Sequence, residues 1–457
     1  MKKIVIAILL ATGFSSCQDY LDIIPKGKLI PKSIQDFEEL SSNPSYSTTG
    51  YALLERMSDG IYMPDANVNS AINTSSSKTY IWAPEFYLNT ENDNGWDPMY
   101  NNIYNANIIL ENIPSLSLEN KEKAAQIKAE AQCNRAFAYS NLIFLYAQTY
   151  NAQTAAQDLG VPIISKADLE ATPSRNSVQE VYDFIIADLN EAIPNLPEKA
   201  KNIYRNNKAT AKAILARVYL NMGNYPAALA QAQEVLAYKS TLLDYNSFSF
   251  KNPEKPHAGI NNKPIAVDDP EAIAYRGTSF GSALTNSCIA PELLAIVDSK
   301  DLRYKFGWSN IEFNGTPNKE PYPLYLRSDL NFNIAVPEMM LIAAESYARL
   351  DQAANALDLL NKLREKRFTA ADYKKLTAST AQEALKLCIN ERRIELFGKG
   401  LRWLDMKRLD KDPLFAQDYV RANSTAKYTL EKGSLRFVSQ IPPKVKLLNT
   451  GIILNPR

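Results

Sequence analysis

The residue whose chemistry the sequence indicates most clearly is Cys17. Lys2 and Lys3 are followed by an apolar run from Ile4 to Ala11, and small residues lead up to the cysteine. This order is typical of a secretory signal, and the apolar run is too short to cross a bilayer. A cysteine at the end of such a signal is where bacterial lipoproteins accept a diacylglycerol. We predict a signal peptide over residues 1–16 and a lipid on Cys17; the alternative is an ordinary signal with an incidental cysteine.

A second motif could support nucleophilic catalysis. The segment Gly277 to Gly281 reads Gly-Thr-Ser-Phe-Gly and matches the Gly-x-Ser-x-Gly pattern of hydrolases. That motif requires a buried strand before the serine and a histidine later in the chain. Asp269 to Arg276 do not have a strand pattern, and the single histidine, His257, lies upstream. The sequence therefore argues against a serine hydrolase.

Four carboxylates could provide the acid and base of a glycosidase: Glu85, Glu91, Asp93 and Asp97. Such an enzyme keeps one carboxyl protonated while the other is ionised. The chain has 50 acidic residues, so one local cluster is expected by chance. An enzyme of carbohydrate breakdown is therefore an alternative and not the favoured hypothesis.

The signals for metal ions and nucleic acids are weak. Asp65, Asn67 and Asn69 begin like a calcium loop, but Ser70 and Ser76 replace its required glycine and terminal glutamate. The four cysteines are widely separated and form no Cys-x-x-Cys pair, which argues against zinc. The net charge of +1 is too small to neutralise a phosphate backbone. We expect no metal, no cofactor and no nucleic acid.

The elements that must position these residues are mainly helices. Apolar residues recur every three or four positions in five segments, which predicts helices. These segments are Ala124 to Tyr150, Val178 to Ile193, Ala209 to Tyr238, Pro337 to Arg367 and Ala381 to Leu396. The first two form a predicted pair, and Ser174 and Ser177 are candidate caps for the second segment.

Two of the segments share the spacing of a tetratricopeptide repeat, in which small residues let antiparallel helices pack closely. The first carries Leu215, Ala216, Tyr219, Ala228, Ala232 and Val235, with Gly223-Asn224-Tyr225 at the turn. The second carries Ala343, Ala344, Tyr347, Ala356, Leu360 and Leu363 at the same offsets. The pattern predicts an all-α fold with helical repeats; two unrelated amphipathic hairpins are the alternative.

Two long segments interrupt the helical pattern, Ser41 to Asp97 and Leu243 to Phe332. Both are rich in Asn and aromatic residues, and the second also in Pro. Loops this long in a compact domain are usually functional or disordered, and the aromatic content argues against disorder.

A stretch near the C-terminus resembles the signature of SusD/RagB-type proteins. Its residues are Glu391, Arg392, Arg393, Glu395, Leu396, Gly400, Arg402, Trp403, Asp405 and Arg408. Further agreement lies at Cys17, Asp19, Tyr20, Leu21, Asp22 and Pro25, at Trp96, Tyr100, Ile103, Asn107 and Leu110, at Arg135 to Tyr146, Glu338 to Arg349 and Ala356 to Arg364, and at Ile441, Pro442, Asn449, Asn455 and Pro456. The resemblance keeps the family's order; Val445, where the family usually has Glu, departs from it.

The resemblance implies a surface lipoprotein of the Bacteroidetes outer membrane, built on tetratricopeptide-like helices with long irregular loops. Such proteins cover the mouth of a SusC-like TonB-dependent transporter, bind nutrients, usually glycans, and are not enzymes. A peptide or glycopeptide binder on the same scaffold is the alternative. We expect a signal peptide at 1–16, an N-terminal region at 17–240 and a C-terminal region at 241–457 with a variable insert at 243–332, in one compact body.

The ligand site implied by the resemblance would lie on the two aromatic segments. Sugars present flat C–H faces ringed by hydroxyls, so a site needs exposed aromatic rings beside polar groups. Trp82 and Trp308 are the candidate stacking residues, whereas Trp96 and Trp403 belong to family motifs and are predicted to pack; burial inside irregular loops is the alternative for the first two. The other candidates are Tyr62, Asn67, Asn69, Asn73, Tyr80, Phe86, Tyr87, Tyr275, Arg276, Phe280, Tyr304, Phe306, Asn310, Tyr322 and Tyr325.

The charges of the signature are predicted to be structural. Arg392 and Glu395 lie three residues apart, as do Asp405 and Arg408, so each pair could form on a helix surface. Gly400 is placed where a helix would end in a left-handed residue. Because paired opposite charges mostly satisfy each other, we favour architecture over ligand binding for this region.

Overall fold

The structure is a computed structural model that describes residues 31–65, 68, 74–87, 93, 95–116, 120–168, 170–277, 287–311, 315–324, 331–424 and 426–457. Within these ranges no helix is both long and apolar enough to span a membrane. The largest apolar cluster includes residues from Tyr51 to Ile452, so most of the described chain shares one core.

Helices provide most of the regular structure, as the periodicity predicts. They are α1 Ile34–Ser41, α2 Tyr51–Met57, α3 Ser75–Tyr80, α4 Asp97–Asn112, α5 Lys121–Tyr146, α6 Val178–Ala192, α7 Lys208–Asn221, α8 Tyr225–Tyr238, α9 Pro291–Leu294, α10 Leu302–Gly307, α11 Val336–Arg349, α12 Ala353–Arg364, α13 Ala381–Glu395, α14 Arg402–Leu409 and α15 Pro443–Leu448.

Short strands form antiparallel pairs between the helices. They are β1 Ile61–Tyr62, β2 Ser249–Phe250, β3 Ile260–Asn261, β4 Ala272–Ala274, β5 Cys288–Ile289, β6 Trp308–Ile311, β7 Pro317–Pro323, β8 Ile334–Ala335, β9 Tyr419–Ala422 and β10 Lys427–Leu430. The pairs in the described chain are β1–β5, β2–β3, β4–β8, β6–β7 and β9–β10.

The two predicted repeats form the helix pairs α7–α8 and α11–α12, and α8 packs against α11. The side chains at the repeat positions are at most 1% exposed, except those of Tyr219 and Tyr347, which are half-buried. Each turn has a left-handed residue at the same offset, Gly223 with φ 71° and Asp351 with φ 58°. Small residues at the contacts and a left-handed helix end therefore explain both hairpins.

The predicted third pair consists of α5 and α6, which pack along each other. Ser177 forms a capping box with Glu180, so Ser177 and not Ser174 is the N-cap of α6. Arg135 of α5 forms two hydrogen bonds to Asp188 of α6, both of 2.8 Å. This buried, bidentate ion pair fixes the rotation of one helix against the other.

The C-terminal signature contains a buried chain of alternating charges. Arg392 of α13 donates to Asp405 of α14 at 2.8 Å, and Asp405 also pairs with Arg408 at 2.9 Å. Arg408 continues to Glu345 of α11 at 2.6 Å. The predicted Asp405–Arg408 pair is therefore present, but it is buried between helices and not on a helix surface.

Glu395 has different partners from those expected. Its carboxylate accepts hydrogen bonds from Arg303 of α10 and from Arg367, which follows α12, at 2.7 Å each. The predicted Arg392–Glu395 pair is therefore wrong. The physical reason is that both side chains are at most 5% exposed and each faces a different neighbouring element, so their charges are neutralised across the core and not along the helix.

Gly400 and two tryptophans behave as the sequence predicts. Gly400 follows α13 with φ 69°, and a Cβ added there would lie 2.3 Å from the Cβ of Tyr51. Trp403 is fully buried and its ring packs against Phe437 with 5.5 Å between centroids. Trp96 is 5% exposed, which agrees with its predicted packing role.

The same turn places a carboxylate in the core. Glu55 of α2 is fully buried and its Oε2 accepts a hydrogen bond of 2.9 Å from the backbone N–H of Gly400. Burial raises the pKa of Glu55 to about 7, although the N–H groups of Gly400 and Gly398 oppose this shift. The carboxyl therefore titrates near neutral pH in the folded protein.

Replacing Gly400 by alanine tests the close packing of this turn. Gly400→Ala combines a left-handed backbone with a clash against Tyr51, so we expect a loss of about 2–5 kcal/mol in the free energy of unfolding. Gly433→Ala is the matched control, because Gly433 has φ 74° and nothing within 4 Å of an added Cβ. It should lose only about 1–2 kcal/mol. Equal losses in chemical denaturation would contradict the proposed clash.

Glu55 should make stability depend on pH between about 4.5 and 7. Because its pKa in the folded protein lies above the ordinary glutamate value of 4.5, its stabilising contribution is complete below pH 4.5 and is lost as the pH rises to about 7. Glu55→Gln should remove this contribution, on the order of 3 kcal/mol between pH 4.5 and pH 8. The measurement is urea denaturation of both proteins across this range, and parallel pH profiles would rule out the assignment.

Candidate ligand-binding site

The structure brings the two aromatic segments together. Strand β1 from the first segment pairs with β5 from the second. The backbone N–H of Thr49 donates to the carbonyl of Gly277, and Gly277 donates to the carbonyl of Ser47, both at 2.9 Å. Residues more than 200 positions apart in the chain therefore contribute to one region.

One group of aromatic residues is organised by Arg421, and we call it the Arg421 stack. The guanidinium carbon of Arg421 on β9 lies 3.9 Å from the ring centroid of Tyr80 and 4.2 Å from that of Trp82. Arg421 also donates to the backbone carbonyls of Tyr80 and Ser58. Burial lowers the pKa of Arg421 to about 10. Aromatic faces and carbonyl oxygens thus hold this buried cation.

The Arg421 stack corrects one expectation from the sequence. Trp82 and Tyr80 are each only 4% exposed. The indole N–H of Trp82 donates to the carbonyl of Met57 at 2.8 Å, and the hydroxyl of Tyr80 accepts from the N–H of Met63 at 3.0 Å. These rings do not present open stacking faces, because the guanidinium of Arg421 occupies them.

A second group of aromatic residues surrounds a cavity of about 130 Å³, which we call the aromatic cavity. Drug-sized ligands occupy pockets of roughly 300–1,000 Å³, so this cavity admits only one small unit of a ligand. Its aromatic lining residues are Tyr245, Phe248, Phe306, Trp308 and Phe397, and its polar lining residues include Lys263, Asp269, Glu271, Arg303, Asn331, Asn333, Glu338, Glu395 and Lys399.

The end of α10 and the start of β6 position the predicted residue Trp308 in this cavity. The indole ring contacts Tyr304 edge-on at 5.4 Å and Phe397 at 5.8 Å. Trp308 is 6% exposed, and Tyr304, which is half-buried, supports it from outside the cavity lining. Trp308 is thus a rigid wall residue and not the exposed platform that the sequence suggested.

The polar floor of the aromatic cavity is an ion network. Arg367 donates to Glu271 at 2.8 Å and to Glu395 at 2.7 Å, and Arg303 also donates to Glu395. Burial raises the pKa of Glu271. Burial alone would also raise the pKa of Glu395, but the guanidinium groups of Arg367 and Arg303 outweigh it, so that pKa is lowered. Because Arg367 holds both carboxylates, the floor favours recognition over acid–base catalysis.

Tyr275 and Arg276 have separate roles. Arg276 is 1% exposed, and its guanidinium carbon lies 4.4 Å from the ring centroid of Phe137. It donates to the Tyr275 carbonyl at 2.7 Å, and burial lowers its pKa to about 10. The half-buried ring of Tyr275 contacts Tyr204 edge-on at 5.0 Å, and Tyr204 is 43% exposed. Arg276 therefore supports a surface pair that the sequence did not reveal.

The other predicted site residues divide into two sets. Tyr62 is half-buried on β1, Phe86 is 2% exposed beneath Arg457, and Asn310 is exposed on β6. The predictions that lie outside the described residues, or whose side chains do, are Cys17, Asn67, Asn69, Ser70, Asn73, Ser76, Glu91, Ser279, Phe280, Tyr322 and Tyr325.

The acidic cluster does not provide a described catalytic pair. Asp93 is 2% exposed and accepts hydrogen bonds from the N–H groups of Gly95 at 2.5 Å and Trp96 at 2.7 Å and from the hydroxyl of Tyr146 at 2.7 Å. Burial raises its pKa to about 6. Asp93 thus shapes the chain before α4. In the described ranges, no three acidic, histidine or cysteine side chains form a group able to hold a metal ion.

Comparison with protein families gives two matches. Residues 19–220 match a family described as "Starch-binding associating with outer membrane", and residues 335–441 match one described as "SusD family". The two matched segments make up about two thirds of the chain.

Individual relatives agree with this result. SusD-like protein P38 of Formosa agariphila is 24% identical, over 90% of this chain and 91% of that protein. SusD-like protein P2 of the same organism is 26% identical, over 69% of this chain and 72% of that protein.

Solved structures show the same fold. A SusD superfamily protein from Bacteroides thetaiotaomicron has a TM-score of 0.75 at 21% identity and covers 93% of this chain and 100% of its own. A laminarin-binding SusD-like protein has a TM-score of 0.65 at 19% identity, with coverages of 93% and 100%. The predicted helical, tetratricopeptide-like fold is thereby confirmed.

Proposed function

This chain belongs to the SusD family, and on that basis we propose that it is a nutrient-binding lipoprotein of the bacterial cell surface. In this proposal it captures an oligosaccharide or polysaccharide and delivers it to a SusC-like TonB-dependent transporter. It binds its ligand without breaking it. The observation that carries the proposal is the aromatic cavity, in which Trp308 meets a polar, charge-balanced floor.

The chemistry of the cavity suits one unit of a glycan. Aromatic rings provide apolar contact for the C–H face of a sugar, and Asp269, Asn331 and Lys263 bring polar groups to the same lining. The volume of about 130 Å³ accommodates a single sugar unit, so the remaining units of the glycan lie outside the cavity. We propose that Tyr275 and Tyr204 provide a further contact surface for it.

The names of related proteins support a glycan over a peptide. One matching family is described as starch-binding, and one structural relative is described as laminarin-binding. Both descriptions belong to those proteins, and starch and laminarin are both polymers of glucose. A glycan array and a peptide array with the purified chain separate the two ligand classes, and a peptide ligand would overturn the glycan proposal. Release of product from a bound glycan would overturn the proposal that the chain is not an enzyme.

The two tryptophans allow a matched test of the site. Trp308→Ala should weaken glycan binding by about tenfold or more, because it removes an aromatic contact worth ~1–3 kcal/mol. Trp82→Ala removes the same side chain at similar burial but away from the cavity lining. It should lower the free energy of unfolding by about 3–5 kcal/mol and leave the affinity of the folded protein unchanged. Affinity electrophoresis and calorimetry measure binding, and thermal unfolding measures stability. Equal effects of the two substitutions on affinity would contradict the assignment of the cavity.

We propose that a lipid on Cys17 tethers this chain to the outer membrane. Cys17→Ala should shift the protein from the membrane fraction to the soluble fraction without changing its affinity for the glycan, because the cavity is built from residues beyond 240. Growth on the glycan should fall, since the binding protein is lost from its transporter. Fractionation, mass spectrometry of the N-terminal peptide and growth curves provide the measurements. Full growth by the released variant would show that the tether is dispensable.

A further inference from the structure

The C-terminal end of the chain exposes a patch of aliphatic side chains that no described element covers. Leu447 is 69% exposed, Leu448 75%, Ile453 60% and Leu454 42%. We call these four residues the aliphatic patch. Two of them end α15, and the other two follow Ile452, whose carbonyl accepts a hydrogen bond of 2.8 Å from Lys446 of α15.

Hydrogen bonds fix the backbone that carries the patch. The side-chain amide of Asn449 donates to the carbonyl of Pro173 at 2.9 Å, and Arg175 donates to the carbonyl of Ile453 at 3.1 Å. Asn455 donates to the carbonyl of Tyr146 at 2.9 Å. The aliphatic side chains therefore project from an anchored segment and not from a fraying terminus.

The charge of this end of the chain is one-sided. From Lys432 to Arg457 the sequence contains five basic residues and no Asp or Glu, whereas the whole chain has a net charge of +1. Lys444 and Lys446 belong to α15 together with Leu447 and Leu448, and Lys444 is exposed. Aliphatic side chains beside lysines match a surface that has an apolar interior below anionic groups.

We propose that the aliphatic patch contacts an anionic lipid surface, the membrane to which Cys17 tethers this chain. A lipid surface fits better than a protein partner for two reasons. The exposed residues are all Leu and Ile, whereas the residues that dominate the binding energy of protein interfaces are enriched in Trp, Tyr and Arg and under-represent Leu. Four side chains also present much less than the ~800 Å² that each partner buries in a standard protein interface.

The tether is long enough for both contacts. Glu38 of α1 forms an ion pair of 2.7 Å with Lys123 near the start of α5. Asn455, which follows the aliphatic patch, donates to the carbonyl of Tyr146 at the other end of α5. Twenty-six residues of helix span ~39 Å. The chain between Cys17 and Pro31 can reach up to ~50 Å. The lipid and the patch can therefore occupy the same membrane plane. This step rests on the lipid anchor of the proposed function.

Site-specific labelling of the full-length lipoprotein tests the contact. The native thiols of Cys133, Cys288 and Cys388 are buried, so a polarity-sensitive dye reacts with a cysteine introduced by Leu448→Cys. The matched control is Ile265→Cys, because Ile265 is 57% exposed and lies away from the aliphatic patch in the sequence. The proteins are reconstituted in vesicles of phosphatidylglycerol and phosphatidylcholine in equal parts, with a quencher on the lipid chains. We expect a blue shift and loss of emission for the dye at 448 and neither for the dye at 265. Phosphatidylcholine alone should give a smaller loss.

The outcomes separate the patch from the anchor. Equal emission from the two labels in the anionic vesicles would overturn the proposed contact. A dye at 448 that responds only when a TonB-dependent transporter is added would overturn it in favour of a protein partner. If mass spectrometry finds no lipid on Cys17, the anchor is wrong, and the contact is then tested by adding the same vesicles to the unlipidated labelled protein. Loss of emission at 448 would still support the patch, and no loss would overturn it.

Discussion

The burial of charge is the constraint on which the C-terminal half of this protein depends. An ion removed from water costs several kcal/mol unless a partner neutralises it, and several buried charges in this half have an opposite charge at hydrogen-bond distance. The pairs Arg392–Asp405 and Arg408–Glu345 join α13, α14 and α11. Arg367 joins Glu395 of α13 to Glu271, beside β4. Glu271 and Glu395 also line the aromatic cavity, so the ion pairs of Arg367 serve both the fold and the candidate site.

Helices and repeats could be predicted from the sequence because their signals are local. The 3.6-residue period identified the five helical segments, and small residues at fixed offsets identified both helix pairs, with Gly223 and Asp351 at equivalent turns. The pairing of Glu395 could not be predicted in this way. Spacing along one helix suggests a partner three residues away, whereas Arg303 and Arg367 come from other elements. Strands of two to seven residues have no readable alternation, so their pairing emerges only in the folded chain.

The second aromatic segment provides much of the lining of the aromatic cavity, whereas the role of each residue there could not be predicted from the sequence. Aromatic residues in an irregular segment are equally compatible with exposure and with burial, and the sequence does not show which distant cation will cover a ring. Arg421 covers Trp82 from 339 positions away. Tyr204 was missed because it precedes α7, outside both aromatic segments, and its relation to Tyr275 depends on tertiary contacts. Trp308 was identified by type, but its role as a wall residue depends on Tyr304 and Phe397.

The two ends of α5 connect the proposed tether to the proposed membrane contact. A lipid attached at one point restricts the distance of a body from the membrane but does not by itself fix the orientation of that body. A second contact at the aliphatic patch removes most of that rotational freedom, because α5 is buried in the core and relates the two attachment points rigidly. The aromatic cavity belongs to the same core through the network around Arg367. Membrane contact at the patch would therefore set the direction in which the cavity faces, which is the requirement for passing a bound ligand to a transporter in the same membrane.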